Sequence, residues 1–363
     1  MNRNLFLIDG DLLKSYDVLT TDISNEQFYY PLLKSSSLYE QLKNVIKSVL
    51  SGKSLTLIDS DLSENELKDV DLSILNKPVE VSFPLFSSIT EIINLVRKSK
   101  SEITIFTSGT TGQPKKVVHS FESLTRNIRV SEKYNDQLWA FAYNPTHMAG
   151  IQVFFQAFLN HNVIINVFNK SREYIYIQIE KYQISHISAT PTFYRLLLPV
   201  DESYSSVVRI TFGGEKSDER LYRKIQQIFP NAKVNNIYAS TEAGSLFVSN
   251  GDIFKVPLDI VNLVKFDNNE ILLHKDLLGS SEGFLFENDY YKTGDIIEWH
   301  NESLREFRIK NRKNELINVG GYKVNPNEIE AEILLIDGVD QVRVYGKNNS
   351  VLGNILCADV QLS

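Results

Sequence analysis

The stretch TSGTTGQPKK occupies residues 107–116 and directly follows the apolar run ITIF at 103–106. Glycine allows the backbone angles at which successive amide groups gather around phosphate oxygens, and hydroxyl and ammonium groups add hydrogen bonds and charge. The end of a strand is a usual setting for such a loop. We therefore predict a phosphate-binding loop whose binding residues are Ser108, Gly109, Thr110, Thr111, Gly112 and Lys115.

This loop differs from the P-loop of nucleoside triphosphatases. That motif requires the spacing GxxxxGK followed by serine or threonine, whereas here Pro114 precedes Lys115 and Lys116 follows it. A surface turn rich in small polar residues is the alternative. The strong bias of these ten residues favours phosphate binding, and we expect a helix to follow the loop.

Composition limits what the loop can serve. The chain has 363 residues, a length that suggests two or three domains, and 42% of the residues are hydrophobic, which is enough for at least one large core. Lysine and arginine total 38 against 45 acidic residues, and the net charge of -7 argues against nucleic acid or anionic lipid as a partner. The single cysteine, Cys357, fits a reducing compartment, and no stretch approaches the roughly 18 apolar residues of a membrane span. We expect a cytoplasmic protein.

Short β-rich runs alternate with segments of helical periodicity, which predicts α/β layers around a largely parallel sheet. The predicted strands are 54–59, 103–107, 138–143, 162–168, 186–190, 207–212 and 233–238. The predicted helices are 87–98, 120–132, 148–160, 171–182, 191–198 and 217–229. After Glu242 short strands and turns indicate a β-rich subdomain of antiparallel hairpins. We predict a large domain over 1–311 and a small, incomplete α+β domain over 312–363.

The segment TSGTTGQPKKV resembles the phosphate loop of the adenylate-forming superfamily. This superfamily contains acyl- and aryl-CoA ligases, luciferases and the adenylation domains of peptide synthetases. Further segments that resemble its motifs follow in the expected order, and the resemblance covers about residues 100–363. The short region before residue 100 is similar in extent to that of the compact o-succinylbenzoate-CoA ligases.

Three segments resemble the parts of these enzymes that surround the acyl group and the adenine. NPTHMAG at 144–150 resembles the wall of the acyl pocket, which implies that role for His147; a structural histidine is the alternative. SATPTFYRLL at 188–197 resembles the strand, turn and helix of the same pocket, and TFGGEKSDERL at 211–221 resembles the turn that stacks against adenine. The resemblance assigns Thr190 and Thr192 to the acyl pocket. It assigns Gly213, Gly214 and Glu215 to the nucleotide.

NIYASTEAG at 236–244 resembles the segment that holds an aromatic ring over adenine, a threonine on the α-phosphate and a glutamate on Mg²⁺. The resemblance assigns Tyr238, Ala239, Ser240 and Thr241 to the nucleotide and Glu242 to the metal. Mg²⁺ prefers oxygen ligands and neutralises phosphate charge, so a carboxylate suits this position. Because the position of Ala239 faces the acyl group in relatives, its methyl group is also predicted to shape the acyl pocket.

YKTGD at 291–295 resembles the segment whose aspartate binds both ribose hydroxyls, which implies that role for Asp295. Such bidentate binding suits an ionised carboxylate. NRKNELINVGGYKVNPNEIE at 311–330 resembles the junction between the large and small domains. In that junction Arg312 matches an arginine that reaches the ribose.

The same junction carries a glycine pair and two departures from the superfamily. Gly320 and Gly321 match the loop that contacts the pantetheine arm of the thiol. Asn311 stands where relatives usually have glycine, and Asn314 stands where the hinge usually has aspartate or lysine. The sequence ends at LCADVQLS, before the lysine that serves adenylation in relatives. A shortened piece, a naturally short enzyme and a module completed by another chain are the alternatives.

Together the resemblances imply an acid-thiol ligase that uses ATP and Mg²⁺. A small carboxylic acid attacks the α-phosphate to form an acyl-adenylate, and coenzyme A then displaces AMP; the implied catalytic residues are Lys115, His147, Thr241 and Glu242. Two alternatives are acyl transfer to a carrier protein and a nucleotide-binding module with weak or no adenylation. The predicted pocket walls suggest a mid-sized apolar or aromatic acid without identifying it.

Overall fold

The computed structural model describes residues 4–59, 70–107, 115–217, 219–249, 251–313, 316–319, 322–349 and 353–362. The chain divides into two compact units. The first comprises Met1–Lys255 and Lys275–Phe284, and the second comprises Val256–His274 and Leu285–Ser363. The predicted boundary between 1–311 and 312–363 is a different division and stays a prediction.

The helices of the described residues are α1 (Tyr16–Asn25), α2 (Leu38–Ser51), α3 (Ile89–Val96), α4 (Phe121–Thr125), α5 (Met148–Phe158), α6 (Arg172–Tyr182), α7 (Pro191–Leu196), α8 (Glu219–Ile228) and α9 (Pro326–Ile333). The strands are β1 (Leu5–Asp9), β2 (Leu12–Ser15), β3 (Phe28–Tyr29), β4 (Leu32–Leu33), β5 (Leu55–Leu57), β6 (Val79–Glu80), β7 (Glu102–Thr107), β8 (Lys115–Ser120), β9 (Leu138–Phe141), β10 (Val163–Asn166), β11 (His186–Ala189), β12 (Arg209–Gly213), β13 (Lys233–Ser240), β14 (Gly244–Ser249), β15 (Phe254–Lys255), β16 (Val264–Asp267), β17 (Glu270–His274), β18 (Phe286–Glu287), β19 (Tyr290–Asn301), β20 (Glu306–Arg312), β21 (Ile317–Val319), β22 (Tyr322–Val324), β23 (Val339–Asn349) and β24 (Gly353–Leu362).

The main sheet of the first unit has eight strands in the order β14-β13-β12-β11-β9-β10-β1-β2. Its six central strands are parallel, and β2 and β14 pair antiparallel at the two edges. Every strand and helix predicted between residues 138 and 240 is present with ends within two residues of the prediction. The predicted parallel α/β sheet is therefore confirmed.

Alternate residues of the central strands enter two different hydrophobic clusters. In β9, Trp139 and Phe141 belong to a cluster with α1, α2, α3, α4 and α5, whereas Ala140 belongs to a cluster with α6, α7 and α8. Successive side chains of a strand point to opposite faces, so both faces of a parallel sheet must be covered by helices. This gives the first unit its α/β layers and leaves only the strand ends open to a ligand.

A smaller sheet in the first unit has the order β4-β5-β7-β8 and carries both ends of the predicted phosphate-binding loop. β7 and β8 are antiparallel, and Thr107 pairs with Lys115. The prediction that a helix directly follows the loop is therefore wrong. Burial alternates along β8, where Val117 and His119 are inside, and this period of two favours a strand. Residues 108–114 lie outside the described residues.

The helix predicted over 120–132 is also shorter than expected, because α4 ends at Thr125. The side chains that follow bind other segments of the first unit. Arg126 donates a 3.2 Å hydrogen bond to the carbonyl oxygen of Leu277, and Asn127 donates to a backbone carbonyl of β14. These tertiary contacts override a local pattern that suits a helix.

Antiparallel strands dominate the second unit. Four of them follow the order β20-β19-β17-β16, and β18 pairs with β19. The hairpins β21–β22 and β23–β24 and the helix α9 follow later in the chain. The predicted change from parallel strands to hairpins is confirmed. Within the described ranges no helix is both long enough and apolar enough to cross a membrane.

Candidate active site

The predicted site residues of the segments 188–197, 211–221 and 236–244 lie along one edge of the main sheet. The parallel strands β11, β12 and β13 end at Ala189, Gly213 and Ser240. Predicted site residues occupy these ends or the positions directly after them. Ligands of open α/β sheets bind in crevices outside the carboxyl ends of the strands, so this edge has the geometry of a binding site.

Gly213 ends β12 and Gly214 begins the turn after it, and the two positions restrict a side chain in different ways. Gly214 has a φ of +83°, in the region that residues with a side chain rarely adopt. A Cβ atom on Gly213 would lie 3.2 Å from the hydroxyl of Tyr143, which is tighter than an ordinary contact. That hydroxyl also lies 3.4 Å from the carbonyl oxygen of Gly213. The sequence analysis did not single out Tyr143.

The predicted pocket residues Thr190 and Thr192 both engage the start of α7. The hydroxyl of Thr190 accepts a 3.2 Å hydrogen bond from the amide of Phe193, as an N-cap residue does. Oε2 of Glu215 accepts from the amide of Thr192 at 3.1 Å and from its hydroxyl at 2.6 Å. Glu215 therefore joins the turn after β12 to the turn after β11, and the two threonines fix the shape of this edge.

His147 is the N-cap residue of α5, and its side chain is 59% exposed. Its Nε2 atom lies 3.6 Å from Oδ2 of Asp59. The same carboxylate oxygen accepts a 2.5 Å hydrogen bond from Nδ2 of Asn144, whose own oxygen accepts from the amide and hydroxyl of Thr146. Asp59, which the sequence analysis missed, therefore orders the whole turn that carries His147.

Tyr238 and Ala239 lie at an irregularity near the end of β13. The pairing register between β13 and β14 shifts between these two residues, which is typical of a β-bulge next to a site. The ring of Tyr238 stacks on that of Phe247, with 5.2 Å between ring centroids and an angle of 17° between planes. Tyr238 pairs with Phe247 and Ala239 with Ser245, so the extra residue of the shift is Leu246 of β14, opposite Tyr238 and Ala239.

Hydrogen bonds from three sides hold the turn after β13. The carbonyl oxygen of Thr241 lies 2.7 Å from Nε2 of His119, and the carbonyl oxygen of Glu242 accepts a 2.8 Å bond from the amide of Gly279. The hydroxyl of Ser240 accepts from the amide of Ala243 at 3.2 Å. The backbone that carries Thr241 and Glu242 is therefore fixed within the first unit.

The donor set around Glu242 suits Mg²⁺ that enters with a phosphate ligand. Among the described residues, no group of three or more His, Cys, Asp and Glu side chains could enclose a metal ion. Mg²⁺ usually keeps several waters and uses one or two carboxylates together with substrate phosphates. The single half-buried carboxylate of Glu242 fits this second kind of site.

Lys115 is the first residue of β8 and is exposed. Its Cδ atom lies 4.0 Å from the position that a Cβ on Gly283 would take. The other predicted residues of the phosphate-binding loop, Ser108, Gly109, Thr110, Thr111 and Gly112, lie outside the described residues, as do Gly320 and Gly321 of the predicted thiol-side loop and Asn314.

Asp295 and Arg312, the pair predicted to bind the ribose, are cross-strand partners in the second unit. Nε of Arg312 lies 3.3 Å from Oδ1 of Asp295, and Asp295 is 8% exposed. The amide of Asp295 donates to the hydroxyl of Thr293 at 3.1 Å. The structure therefore brings the two predicted residues into direct contact.

Glu270 supports this pair and was missed by the sequence analysis. It is 4% exposed, and its Oε1 accepts a 2.9 Å hydrogen bond from the amide of Gly294, next to Asp295. Its Oε2 lies 2.6 Å from Nζ of Lys313, next to Arg312. A nearly buried carboxylate thus binds the immediate neighbours of both predicted residues.

A family model described as AMP-binding enzyme matches residues 39–265 of the chain. A 2-succinylbenzoate–CoA ligase of Staphylococcus epidermidis is 26% identical over 277 residues, which cover 69% of this chain and 57% of that protein. Tyrocidine synthase 3 of Brevibacillus parabrevis is 23% identical over 304 residues, which cover 70% of this chain and 4% of that protein. The match therefore spans little more than half the length of the curated ligase.

The fold is similar to that of solved o-succinylbenzoate coenzyme A synthetases. The Bacillus subtilis enzyme in complex with the acyl-adenylate intermediate OSB-AMP matches with a TM-score of 0.71 and 18% identity, over 99% of this chain and 86% of that chain. The same enzyme in complex with ATP and magnesium ion matches with a TM-score of 0.70 and 19% identity, over 99% of this chain and 87% of that chain. This similarity confirms the predicted α/β fold class.

Proposed function

This chain belongs to the family of AMP-binding enzymes, and on that premise we propose that it activates a carboxylic acid with ATP and transfers the acyl group to a thiol. In the first step a carboxylate oxygen attacks the α-phosphorus, the bond to the β-phosphate breaks and pyrophosphate leaves. In the second step the thiol loses its proton to water and its sulfur attacks the acyl carbon, the bond between that carbon and the phosphate oxygen breaks, and AMP leaves. Coenzyme A is the favoured thiol.

One observation carries the proposal: the motif residues from three different strands meet at the carboxyl edge of the main sheet. Thr190 follows β11, Gly213 ends β12 and Gly214 follows it, and Thr241 follows β13. The side chain of Thr190 lies 3.7 Å from the position that a Cβ on Gly214 would take. In this proposal a flat base approaches the glycine turn closely. Thr241 directly follows β13, and its hydroxyl binds a phosphate oxygen.

The residues contribute mainly by position and electrostatics, which dominate catalysis of phosphoryl and acyl transfer. Lys115 supplies positive charge to the phosphate groups, and the hydroxyl of Thr241 donates a hydrogen bond to the α-phosphate. Asp295 accepts hydrogen bonds from the ribose hydroxyls while Arg312 holds its carboxylate. Tyr238 provides an aromatic surface for adenine.

Glu242 is the residue that would hold Mg²⁺. When bound, the ion supplies positive charge that stabilises the leaving pyrophosphate. Glu242 would contribute one carboxylate, and Mg²⁺ in such sites usually takes its other ligands from substrate phosphates and water. The hydrogen bond between Gly279 and the backbone of Glu242 keeps that carboxylate at the end of β13.

The acyl pocket lies where His147, Thr190 and Ala239 border the same strand edge. The pair formed by His147 and Asp59 gives one polar wall, and the methyl group of Ala239 gives an apolar wall. This mixture favours a mid-sized apolar or aromatic acid that carries a polar substituent. The 2-succinylbenzoate–CoA ligase similarity is consistent with such an acid class, because its named substrate has an aromatic ring and carboxyl groups.

A carrier protein is the second candidate acceptor, because tyrocidine synthase 3 is also a relative. In this version the acyl group passes to the phosphopantetheine arm of a partner protein. The two acceptors share thiol chemistry and differ in whether free coenzyme A is sufficient.

The test is a screen of carboxylic acids by ATP–pyrophosphate exchange, followed by thioester formation with coenzyme A and with phosphopantetheine-bearing carrier proteins. We expect exchange with a narrow group of acids and a thioester with coenzyme A. A thioester with a carrier protein alone would establish the second candidate. ATP binding without exchange for any acid would contradict the proposed ligase activity.

A further inference from the structure

His119 is a buried histidine that the proposed reaction does not use directly. It lies in β8 and is 1% exposed. Nε2 lies 2.7 Å from the carbonyl oxygen of Thr241, and Nδ1 lies 3.2 Å from the hydroxyl oxygen of Ser123. A carbonyl oxygen can only accept a hydrogen bond, so Nε2 carries the proton. In the neutral ring Nδ1 then accepts from the Ser123 hydroxyl.

The surroundings of His119 favour this neutral form. Burial is the largest effect and lowers the pKa of His119. The hydrogen bond to Thr241 and the charge of Glu242 raise this pKa and the charge of Arg126 lowers it, and the net shift is downward. Serine and carbonyl partners on opposite sides of the ring select one tautomer and one orientation. The imidazole therefore acts as a rigid hydrogen-bond donor from β8 to the turn after β13.

The packing around His119 leaves the ring little room to move. A Cβ atom on Gly279 would lie 2.7 Å from Cε1 of His119 and 2.7 Å from Cγ1 of Val117. Val118 and Ser280 exchange two backbone hydrogen bonds of 2.8 Å each. Glycine at position 279 thus allows the segment 279–280 to pack directly against β8, beside His119.

The same docked segment holds the other half of the turn. The amide of Gly279 donates to the carbonyl oxygen of Glu242, while His119 donates to the carbonyl oxygen of Thr241. Two consecutive carbonyl groups therefore accept hydrogen bonds from His119 of β8 and from Gly279, which packs against His119. Fixing both carbonyls fixes the two peptide planes on either side of the Cα atom of Glu242, and the first of these planes directly follows the Cα atom of Thr241.

We propose that His119 is a positioning residue, which holds the Thr241 carbonyl and thereby directs Thr241 toward the α-phosphate and Glu242 toward the metal. This inference rests on the proposed function. His119 itself touches neither substrate nor metal. Its effect on the reaction passes through the backbone of the turn, where small displacements change the alignment of groups that act in the transition state.

The test compares His119→Phe, which keeps a ring of similar volume without a donor, with His119→Gln, whose amide nitrogen can reach the same carbonyl. The matched control is His186→Gln, because His186 is 8% exposed and is the first residue of β11, at the amino end of a strand of the main sheet and away from the carboxyl edge that carries the predicted site. For His119→Phe we expect at least a tenfold lower kcat in ATP–pyrophosphate exchange and at least a threefold higher half-saturating Mg²⁺ concentration. The KM for the acid should change less than threefold.

Rescue by the amide is the decisive outcome. We expect His119→Gln to restore kcat to within about threefold of the wild type and to restore the Mg²⁺ dependence, with His186→Gln unchanged in both. Equal activity of His119→Phe and the wild type, or equal losses in His119→Phe and His186→Gln, would overturn the positioning role. If His119→Phe does not fold, Ser123→Ala, which removes the partner of Nδ1, should give a smaller change of the same kind; no change would overturn the role.

A second readout does not depend on the proposed reaction. Amide hydrogen exchange of the peptide 238–246 should be at least tenfold faster in His119→Phe than in the wild type, and close to wild type in His119→Gln. Unchanged exchange would overturn the inference even if the enzyme is active. If exchange is faster in His119→Phe but the protein shows no activity with any acid, the result would support the role of His119 in holding the turn after β13. It would contradict only the proposed function.

Discussion

Arg312 and Asp295 face each other across β19 and β20, with 3.3 Å between Nε and Oδ1. We expect Asp295→Asn to weaken ATP binding by about 1.5–3 kcal/mol, because a charged acceptor of the ribose hydroxyls is lost at a buried position. Calorimetric titration with MgATP measures the change. Glu298→Gln removes an exposed carboxylate from the same strand and should leave the affinity unchanged. Equal losses in both variants would exclude Asp295 as the ribose ligand.

Glu242→Gln should affect turnover more than binding. The amide keeps the shape of the side chain but gives the metal a weaker ligand, so charge at the leaving pyrophosphate is less well stabilised. We expect a fall in kcat of about 100- to 1,000-fold, with ATP affinity within about fivefold of the wild type. Glu282→Gln, at an exposed position of the same unit, is the control. A larger effect on ATP affinity than on kcat would contradict the assigned role.

Ala239→Leu should change which acids are used. The larger side chain fills the pocket where β13 departs from regular pairing, so large acids lose activity by about tenfold or more while small acids are retained. ATP affinity should stay within about twofold, since no phosphate contact is altered. Exchange assays with an acid series give the profile, and Val248→Leu, at an exposed position of β14, serves as the comparison. An unchanged profile would place the acyl pocket elsewhere.

His186 predicts a pH dependence of stability. Burial lowers the pKa of His186 to about 4, with a further contribution from Arg209. An unfolded histidine titrates near pH 6.5, so the unfolded state binds the proton first as the pH falls. The stabilising effect is therefore complete above about pH 6.5 and is lost between about pH 6.5 and 4, by up to roughly 3 kcal/mol.

Urea unfolding at pH 7.5 and pH 5 measures this effect. His186→Gln should show a smaller difference between the two pH values than the wild type. His300→Gln, at an exposed position, should match the wild type. A pH dependence that is equal in all three proteins would show that His186 is not its source.

Local patterns were sufficient to predict the central part of the first unit. β9 and β10 have short apolar runs, and the helices α6 and α7 begin at recognisable capping residues, Ser171 and Thr190. Thr190 followed by Pro191 is one example, in which the threonine caps α7 and the proline occupies its first position. Ser15 and Ser37 cap α1 and α2 in the same way, so these two helices carried a signal that the sequence analysis left unused.

The remaining features depend on contacts between distant segments. The six residues of β8 are too few to distinguish a strand from a helix by period alone, and their partner strand lies across the predicted loop. Asp59, His119 and Glu270 support the predicted site through backbone groups or neighbouring side chains. Such support depends on the tertiary structure, and nothing in the adjacent sequence marks these residues.

The segment Lys275–Phe284 belongs to the first unit although residues of the second unit both precede and follow it. Ser280 pairs with Val118 and Gly279 with Glu242, so these bonds of the first unit form only after about 280 residues have left the ribosome. At a synthesis rate of roughly 5–20 residues per second, β8 and the turn after β13 exist for several seconds before their partner is made. A fragment ending at residue 255 would retain every strand of the main sheet and still lack the hydrogen-bond donor to Glu242. Independent expression of the first unit therefore requires a chain that continues through Phe284, or a permuted gene in which this segment is joined directly to the rest.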